Sequence, residues 1–383
     1  MSNTQKKNVP ELRFPGFEGE WEEKKLGDLI KVNSGKDYKH LDKGDIPVYG
    51  TGGYMTSVSE PLSEIDAVGI GRKGTINKPY LLEAPFWTVD TLFYCTPKKE
   101  ADILFILSLF RKINWKLYDE STGVPSLSKQ TINKINRLVP TNKEQQKIGE
   151  FFSKLDRQIE LEEQKLELLQ QQKKCYMQKI FSQELRFKDD NGNDYPEWEE
   201  KKLGELSQIV RGASPRPIKD PKWFNKESDI GWLRISDVTD QNGKIYHLEQ
   251  KLSIEGQEKT RVLLTTHLLL SIAASIGKPV MNFVKTGVHD GFLIFLNPKF
   301  NIFFMYYWLD YFKEKWSKYG QPASQVNLNS EIVKSQTLNM PSNHEQEKVG
   351  LFFNRNEKLI ELQQEKIMYL KRRKQALIIK MFI

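Results

Sequence analysis

Glu20-Trp21-Glu22-Glu23-Lys24-Lys25-Leu26-Gly27 recurs letter for letter as Glu197-Trp198-Glu199-Glu200-Lys201-Lys202-Leu203-Gly204. Upstream of each copy, Glu11-Leu12-Arg13-Phe14 returns as Glu184-Leu185-Arg186-Phe187. Chance does not give an identity of this length, and a repeat missed here would misassign the whole architecture. A second pair of matches lies downstream: Pro140, Glu144-Gln145-Gln146-Lys147-Ile148-Gly149 and Phe151-Phe152 answer to Pro341, Glu345-Gln346-Glu347-Lys348-Val349-Gly350 and Phe352-Phe353. The offset grows from 177 (197 minus 20) to 201 (341 minus 140), so the second copy carries about 24 extra residues between its matched ends. The stretches between those ends hardly align. Fixed ends with free middles are the organisation to explain.

After each of those prolines the composition turns to Gln, Glu, Lys and Leu, without Pro and with Gly only in the first turns, which predicts two long helices. In the first, Phe152, Leu155, Ile159, Leu166, Leu169, Tyr176 and Ile180 recur at helical spacing on one stripe. In the second, Phe353, Ile360, Ile367, Leu370, Leu377 and Met381 do the same. Roughly 40 residues at about 1.5 Å each gives helices about 60 Å long. One apolar stripe on such a helix needs a partner, and its own copy is the nearest, as an antiparallel coiled coil with pseudo-twofold character. The alternative is a generic dimerisation arm. The stripe is interrupted at matching places, Glu162 and Gln363, then Lys173 and Lys374; polar residues in a seam can fix register. The first helix runs through Phe181 into Glu184-Leu185-Arg186-Phe187, so joining Ile383 to Glu11 would continue the pattern as a circle.

Residues 21 to about 140 and 198 to about 341 are short runs of Val, Ile, Tyr, Phe and Trp punctuated by Gly, Pro, Asn and Asp, which predicts mixed sheet with a few helices. Ile46–Tyr54 reads as a strand and glycine loop, Ile65–Ile70 as a strand leading into Gly71-Arg72-Lys73-Gly74-Thr75, and Leu268–Ala274 as a buried strand before Ser275-Ile276-Gly277-Lys278-Pro279. Each copy has a late helical segment, Ile103–Trp115 and Ile302–Trp316. The fold class expected is α+β: two mixed α/β domains joined by two long helices. The segments are 1–140 and 184–341 for the domains, and 141–183 and 342–383 for the helices.

Several strings imitate catalytic motifs. Gly69-Ile70-Gly71-Arg72-Lys73-Gly74 matches the dinucleotide fingerprint, but Asn77-Lys78-Pro79 stands where a helix should open. A tight turn presenting Arg72 and Lys73 is the better reading. Asn297-Pro298-Lys299-Phe300 has Lys299 in place of the second proline of an adenine methyltransferase motif, and no glycine-rich cofactor loop precedes it. Glu22 with Lys24, and Glu199 with Lys201, imitate the tail of a nuclease motif but read as charged first turns of a helix. The five histidines, His40, His247, His267, His289 and His344, are too scattered for zinc. No nucleophile elbow or Walker loop is present.

The balance of 58 Lys+Arg against 50 Asp+Glu, +8 overall, favours a polyanionic partner without naming one. Cys95 and Cys175 lie in unrelated stretches, with no second thiol close by to suggest a disulfide, which fits a reducing cytoplasm. The polar opening residues with Pro10 and Pro15 do not read as a signal peptide, and no apolar run is long enough to span a bilayer. A soluble cytoplasmic protein with no membrane association is expected.

In its Trp21–Gly27 and Trp198–Gly204 openings, its Pro140/Glu144 and Pro341/Glu345 closings, the Arg211–Ile218 stretch and Trp232–Thr239, the chain resembles the specificity subunits of type I restriction-modification systems over nearly its whole length. The resemblance implies that each variable domain reads one half of a split double-stranded DNA target and that the helices set the gap. It implies docking of two methyltransferase subunits and two restriction subunits, which direct adenine methylation or cleavage. S-adenosylmethionine, ATP and magnesium would belong to those partners, leaving this chain without catalytic residues, metal or cofactor.

Base contacts do not transfer through the family, so the DNA-contact candidates rest on chemistry. Arg, Asn and Gln in loops can read base edges, whereas Lys, Ser and Thr more often bind phosphate. The candidates are Lys36, Lys39, Thr51, Arg72 and Lys73 in the first domain. In the second they are Arg211, Ser214, Arg216, Lys219, Lys278 and Gln325. From the residues alone, a protein-binding scaffold and an enzyme of unrecognised type also remain open. Duplex binding by the chain with its methyltransferase partner separates off the first, and methyl-donor crosslinking to the isolated chain the second.

Overall fold

The protein is described by a computed structural model over residues 8–273, 276–319 and 328–383. It divides into two compact units: Met1–Lys165 with Gln363–Ile383, and Leu166–Leu362. Two helices, Asn142–Phe181 and Asn343–Met381, dominate the secondary structure. Each gives residues to both units. Among the described residues no helix is long and apolar enough to cross a membrane.

In the first unit the main sheet places Ile30–Ser34, Leu92–Pro97, Ala67–Gly71 and Tyr80–Leu82 side by side, all antiparallel. A smaller sheet has Gly53–Val58, Ile46–Gly50 and Trp87–Thr88. In the second unit the main sheet runs Gln208–Arg211, Phe292–Leu296, Leu268–Ser271, Pro279–Asn282 and Lys244–Ile245. Its small sheet has Gly231–Leu233, Thr286–Val288 and Arg261–Leu263. The extra strand Lys244–Ile245 falls in the longer middle of the second copy. An apolar helix covers the core of each unit, Ile103–Lys112 in the first and Ile302–Phe312 in the second.

The repeated motifs are where each variable middle meets its frame. Glu22–Lys25 is a strand paired with Asn136–Val139, and Glu199–Lys202 is a strand paired with Thr337–Met340. This corrects the expectation of charged helical first turns: the alternating charges flank a ladder that ties the two ends of each middle together. Leu26 and Leu203 then enter the cores. Arg13 clasps the buried Glu144 carboxylate through Nε and Nη2 at 2.8 and 2.7 Å, and Arg186 clasps Glu345 in the same way at 3.2 and 2.8 Å. Such two-pronged contacts are among the stronger hydrogen-bonded pairs. Phe14 meets Phe151 edge-on, as Phe187 meets Phe352.

Buried Gln145 donates to the Pro140 carbonyl at 3.0 Å and accepts from the Asp102 main-chain N–H at 3.1 Å. Gln346 does the same with Pro341 and Asn301, at 2.8 and 2.9 Å. Asp102 and Asn301 cap the two apolar helices, accepting from the N–H of Phe105 and Phe304, so each glutamine satisfies the capping residue's own N–H. Gly149 and Gly350 allow this approach. A Cβ on Gly149 would lie 2.4 Å from Asp102 Oδ1 and 2.7 Å from the Phe105 nitrogen, and one on Gly350 about 3.0 Å from Asn301 and Phe304.

Within each unit the two long helices run antiparallel. In the first, Leu155, Ile159 and Leu370 pack together with Leu377, and Ile378, Met381 and Phe382 join the core around Phe152. In the second, Met177 and Ile180 join the core around Phe353. Leu166, Leu169 and Ile360 are half-buried, and Ile367 is buried. Tyr176, placed on the stripe by spacing, is 37% exposed and lies edge-on to Phe352, while its neighbour Met177 takes the buried position.

The polar interruptions are paired. Gln363 donates to the main-chain oxygen and Oε2 of Glu162 at 2.9 and 2.7 Å. Since 363 minus 162 is the repeat offset, 201, a residue here bonds its own counterpart. Lys374 bonds Asp156, and the corresponding Lys173 reaches Glu357 at 3.3 Å. The circular pattern has a physical form as well: Leu12 N–H donates to Lys380 O at 2.9 Å, as Leu185 N–H donates to Lys179 O at 3.0 Å.

Candidate nucleic-acid interface

Both domains gather cationic loops around one turn that leads into the strand at Leu92 or Phe292. In the first unit this turn is Thr88–Thr91. Lys36 N–H donates to Thr88 O at 2.8 Å, Val89 N–H to Tyr49 O at 3.0 Å, and Arg72 N–H to Thr91 O at 2.8 Å. The loops bearing Lys36, Thr51 and Arg72 with Lys73 therefore converge on it. Gly35 permits the closest approach, because a Cβ there would stand 2.0 Å from the Val89 oxygen. Lys39 is exposed on the loop whose Tyr38 and Leu41 pack with Trp87.

Beside Arg72 and Lys73 lies a concavity of about 370 Å³ that is also lined by Ser34, Phe93, Ser126 and Lys129. The Arg72 guanidinium and Lys129 ammonium stand 5.9 and 6.0 Å from the centre of the Phe93 ring. The lining holds three cations, several hydroxyls and no carboxylate. Such a surface suits the phosphate backbone. Lys129 and the serines carry no sequence signal of their own; the fold recruits Ser126, Ser128 and Lys129 from far along the chain to stand beside Ser34.

The second unit repeats the frame with different side chains. Gly212 stands where Gly35 does, and a Cβ on it would lie 2.1 Å from the His289 oxygen. Ala213 N–H donates to Val288 O at 3.0 Å, the counterpart of the Lys36 bond. Around Asp290 the structure brings together Arg211, Ser214 and Arg216. Arg211 Nε donates to the Asp290 main-chain oxygen at 2.6 Å, Ser214 Oγ to Oδ1 at 2.8 Å, and Arg216 Nη2 to Oδ2 at 2.6 Å. Arg261 Nε in turn holds the Arg211 carbonyl at 2.6 Å. Burial pushes the Asp290 carboxyl up, but the Ser214 bond and the charge of Arg216 bring it below its ordinary value. Burial lowers the neighbouring His289 imidazole, and its Nδ1 accepts from Gly291 N–H at 2.8 Å, so the neutral ring carries its proton on Nε2.

Lys219 is exposed on the segment before the Pro221–Trp223 turn. Lys278 is turned onto the Val238 carbonyl and Asn242 Oδ1, 3.4 Å from each, and burial holds its ammonium below the ordinary value, with Lys313 adding to the effect. Gln325 lies outside the described residues. Asp290 and Arg261 were not among the candidates; an aspartate between His and Gly has no signature until the fold sets it against the arginines.

The dinucleotide-like string is part of a sheet: Gly69 and Gly71 lie in the buried strand Ala67–Gly71, with the exposed turn of Arg72 and Lys73 after it.

Known proteins share this organisation. The specificity subunit of the type I restriction enzyme MjaVIII from Methanocaldococcus jannaschii is 24% identical over 325 residues, spanning 79% of this chain and 72% of that protein. The crystal structure of a type I restriction-modification S subunit from M. genitalium has the same fold, with a TM-score of 0.66 at 14% identity, covering 98% of this chain and 99% of that one. A chain from work on assembly and conformational transition of the type I restriction-modification system gives a TM-score of 0.57 at 16% identity, over 94% and 96% of the two chains. The family model for the type I restriction modification DNA specificity domain matches twice, at residues 18–171 and 195–372. With both repeats matched, the chain belongs to the type I restriction-modification DNA specificity family, as a two-domain, non-catalytic DNA-recognition subunit.

Proposed function

We propose that the chain reads a split duplex target with one half-site per domain, through the loops gathered at the Thr88–Thr91 turn and around Asp290. The observation that carries this reading is the repetition of one frame, Gly35 with Val89 and Gly212 with His289, under two unrelated sets of cationic side chains. A conserved mount with interchangeable readers is what two different half-sites require. The recognition segments are 1–140 and 184–341. The helical segments 141–183 and 342–383 act as the spacer that sets the gap, through the seam of Phe152, Leu155, Ile159, Leu166 and Leu169 against Phe353, Ile360, Ile367, Leu370 and Leu377. Two methyltransferase and two restriction subunits assemble on the chain in the cytoplasm. They supply S-adenosylmethionine, ATP and magnesium.

Exchange of residues 21–140 for the same region of a related subunit tests this. With the methyltransferase partner present, sequencing of methylated adenines should show one half of the target changed, with the other half and the gap retained. A simultaneous change in both halves would refute the assignment of one half-site per domain.

A further inference from the structure

We infer that Asp290 is a positioning residue that holds Arg216 as a reader of guanine in the half-site of the second domain; the inference rests on the proposed reading of split DNA. Arg216 is 67% exposed at its side chain, and its guanidinium hydrogen-bonds, among the described residues, to Asp290 Oδ2 through Nη2 at 2.6 Å. The carboxylate is itself fixed. Its other oxygen accepts from Ser214 Oγ at 2.8 Å, the Asp290 N–H donates back to Ser214 Oγ at 3.2 Å, and Arg211 Nε grips the Asp290 carbonyl. A guanidinium has several N–H donors in a rigid plane. Pinning one of them sets the plane and leaves the rest of the fork facing outward.

That arrangement suits a base better than a phosphate. Guanine offers O6 and N7 as paired acceptors in the major groove, and an arginine fork is the commonest partner for them. The contact is directional and made to a neutral group, so partial neutralisation by Asp290 costs it little, and prior orientation removes side-chain entropy that binding would otherwise lose. A phosphate oxygen approaching the same fork would meet a fixed carboxylate beside it, and the like charges repel. Arg72 in the first domain shows the contrast. Its guanidinium reaches only a main-chain oxygen among the described residues, that of Asp90 at 3.4 Å, and it stands beside the Phe93 ring in a concavity whose lining has Lys73 and Lys129 and no acid.

The test uses the full-length chain with its methyltransferase partners, comparing wild type with Arg216→Ala, Arg216→Lys and Asp290→Asn. Methylated sites are sequenced in cells, and duplex binding and melting temperature are measured on the purified complexes, the binding as a function of salt. Arg216→Ala should relax a single G·C position in one half-site, with discrimination there falling on the order of ten- to a hundredfold. Arg216→Lys should relax the same position, because a point charge cannot reproduce the fork. Asp290→Asn should loosen that position too, at unchanged melting temperature, while the salt slope steepens by up to about one as the released arginine finds a phosphate. Full discrimination in Asp290→Asn overturns the proposal, as does an Arg216→Ala complex that weakens equally on every sequence. A lowered melting temperature with uniform loss of binding in Asp290→Asn would make Asp290 structural, and overturns it as well. A wild-type complex that methylates no split site would refute the functional reading itself, an outcome distinct from any variant result.

Discussion

Asp156 and Glu357 occupy the same place in the two repeats, on the inner face of a long helix, yet they are satisfied in opposite ways. In the first unit Asp156 is held by Arg111 from the apolar helix and by Lys374 from the second long helix. In the second unit Asp310 stands where the helix alignment puts Arg111, 199 residues on (304 minus 105), so an acid replaces the cation. Lys244, buried on the extra strand, fills the gap: its Nζ lies 2.6 Å from Glu357, which also accepts from Tyr307 at 2.7 Å and pairs with Lys173 at 3.3 Å. The helices keep their charges, an acid and a lysine at corresponding positions, while the variable domain answers with whatever cation its own fold can deliver. The corner in the first unit is part-exposed, and that in the second is more deeply buried, with Lys244 and Glu357 each 8% exposed at the side chain.

This difference should be measurable. Glu357→Gln strands Lys244 and Lys173 in a buried site and should cost about 3–5 kcal/mol. Asp156→Asn at the wetter corner should cost about 1 kcal/mol or less. Hydrogen exchange across the full-length chain would assign each loss to its unit, and equal losses would break the contrast. The pH dependence sharpens it. Burial pushes the Glu357 carboxyl up, but Lys173 and Lys244, with hydrogen bonds from Lys244 and Tyr307, hold it below its ordinary value of 4.5. A depressed acid contributes stability that is complete above the unfolded value and is lost as pH falls through the folded one. Acid melting of the second unit should therefore lose this component in Glu357→Gln.

The two glycines on the long helices make a second pair. A Cβ on Gly149 meets Asp102 Oδ1 at 2.4 Å and backbone at 2.7 Å, whereas one on Gly350 meets its nearest neighbours at 3.0 Å. Gly149→Ala should cost about 1–3 kcal/mol as an overpacked contact, and Gly350→Ala should cost less. Thermal melting of the two variants ranks them, and the reverse order would mean that the cap of the first domain yields more readily than its geometry suggests. The smallest effect separates the repeated tryptophans. Trp198 Nε1 donates to Glu345 Oε2 at 3.0 Å, but Trp21 Nε1 is buried without a partner among the described residues. Trp198→Phe should lose about 1 kcal/mol more than Trp21→Phe, by the same melting measurement.

The repeat, the long helices and the domains between the matched ends are legible in the sequence because each rests on local spacing or on identity between copies. The Glu22–Lys25 strand is not. Its partner, Asn136–Val139, lies more than a hundred residues away, and four charged residues show no strand alternation of their own. The exchange of Tyr176 for Met177 has a similar origin. An ideal stripe continues along one face, but near Phe181 the helix packs with the domain core around Phe304 as well as with Phe353. At the candidate interface, residue type singled out Arg72, Arg211, Ser214 and Arg216, which a strand end at Arg211 and loops elsewhere bring to one turn in each domain. Chemistry alone could not select Asp290 or Lys129, because what distinguishes them is proximity across the sheet. Nor could it foresee that Lys278 turns onto its own domain's oxygens.

The bonds made by Gln145 and Gln346 have a consequence for how such a chain can change. Each glutamine hydrogen-bonds to its variable middle, among the described residues, through peptide groups, a carbonyl at Pro140 or Pro341 and an N–H at Asp102 or Asn301. Peptide groups are common to all sequences. An incoming middle therefore needs a strand edge for Glu22–Lys25 or Glu199–Lys202, a capped apolar helix, room for one helical glycine, and a cation for the acid at Asp156 or Glu357. Most of the rest can drift or be replaced wholesale, because at these two joints the frame recognises the backbone of its cargo rather than its side chains.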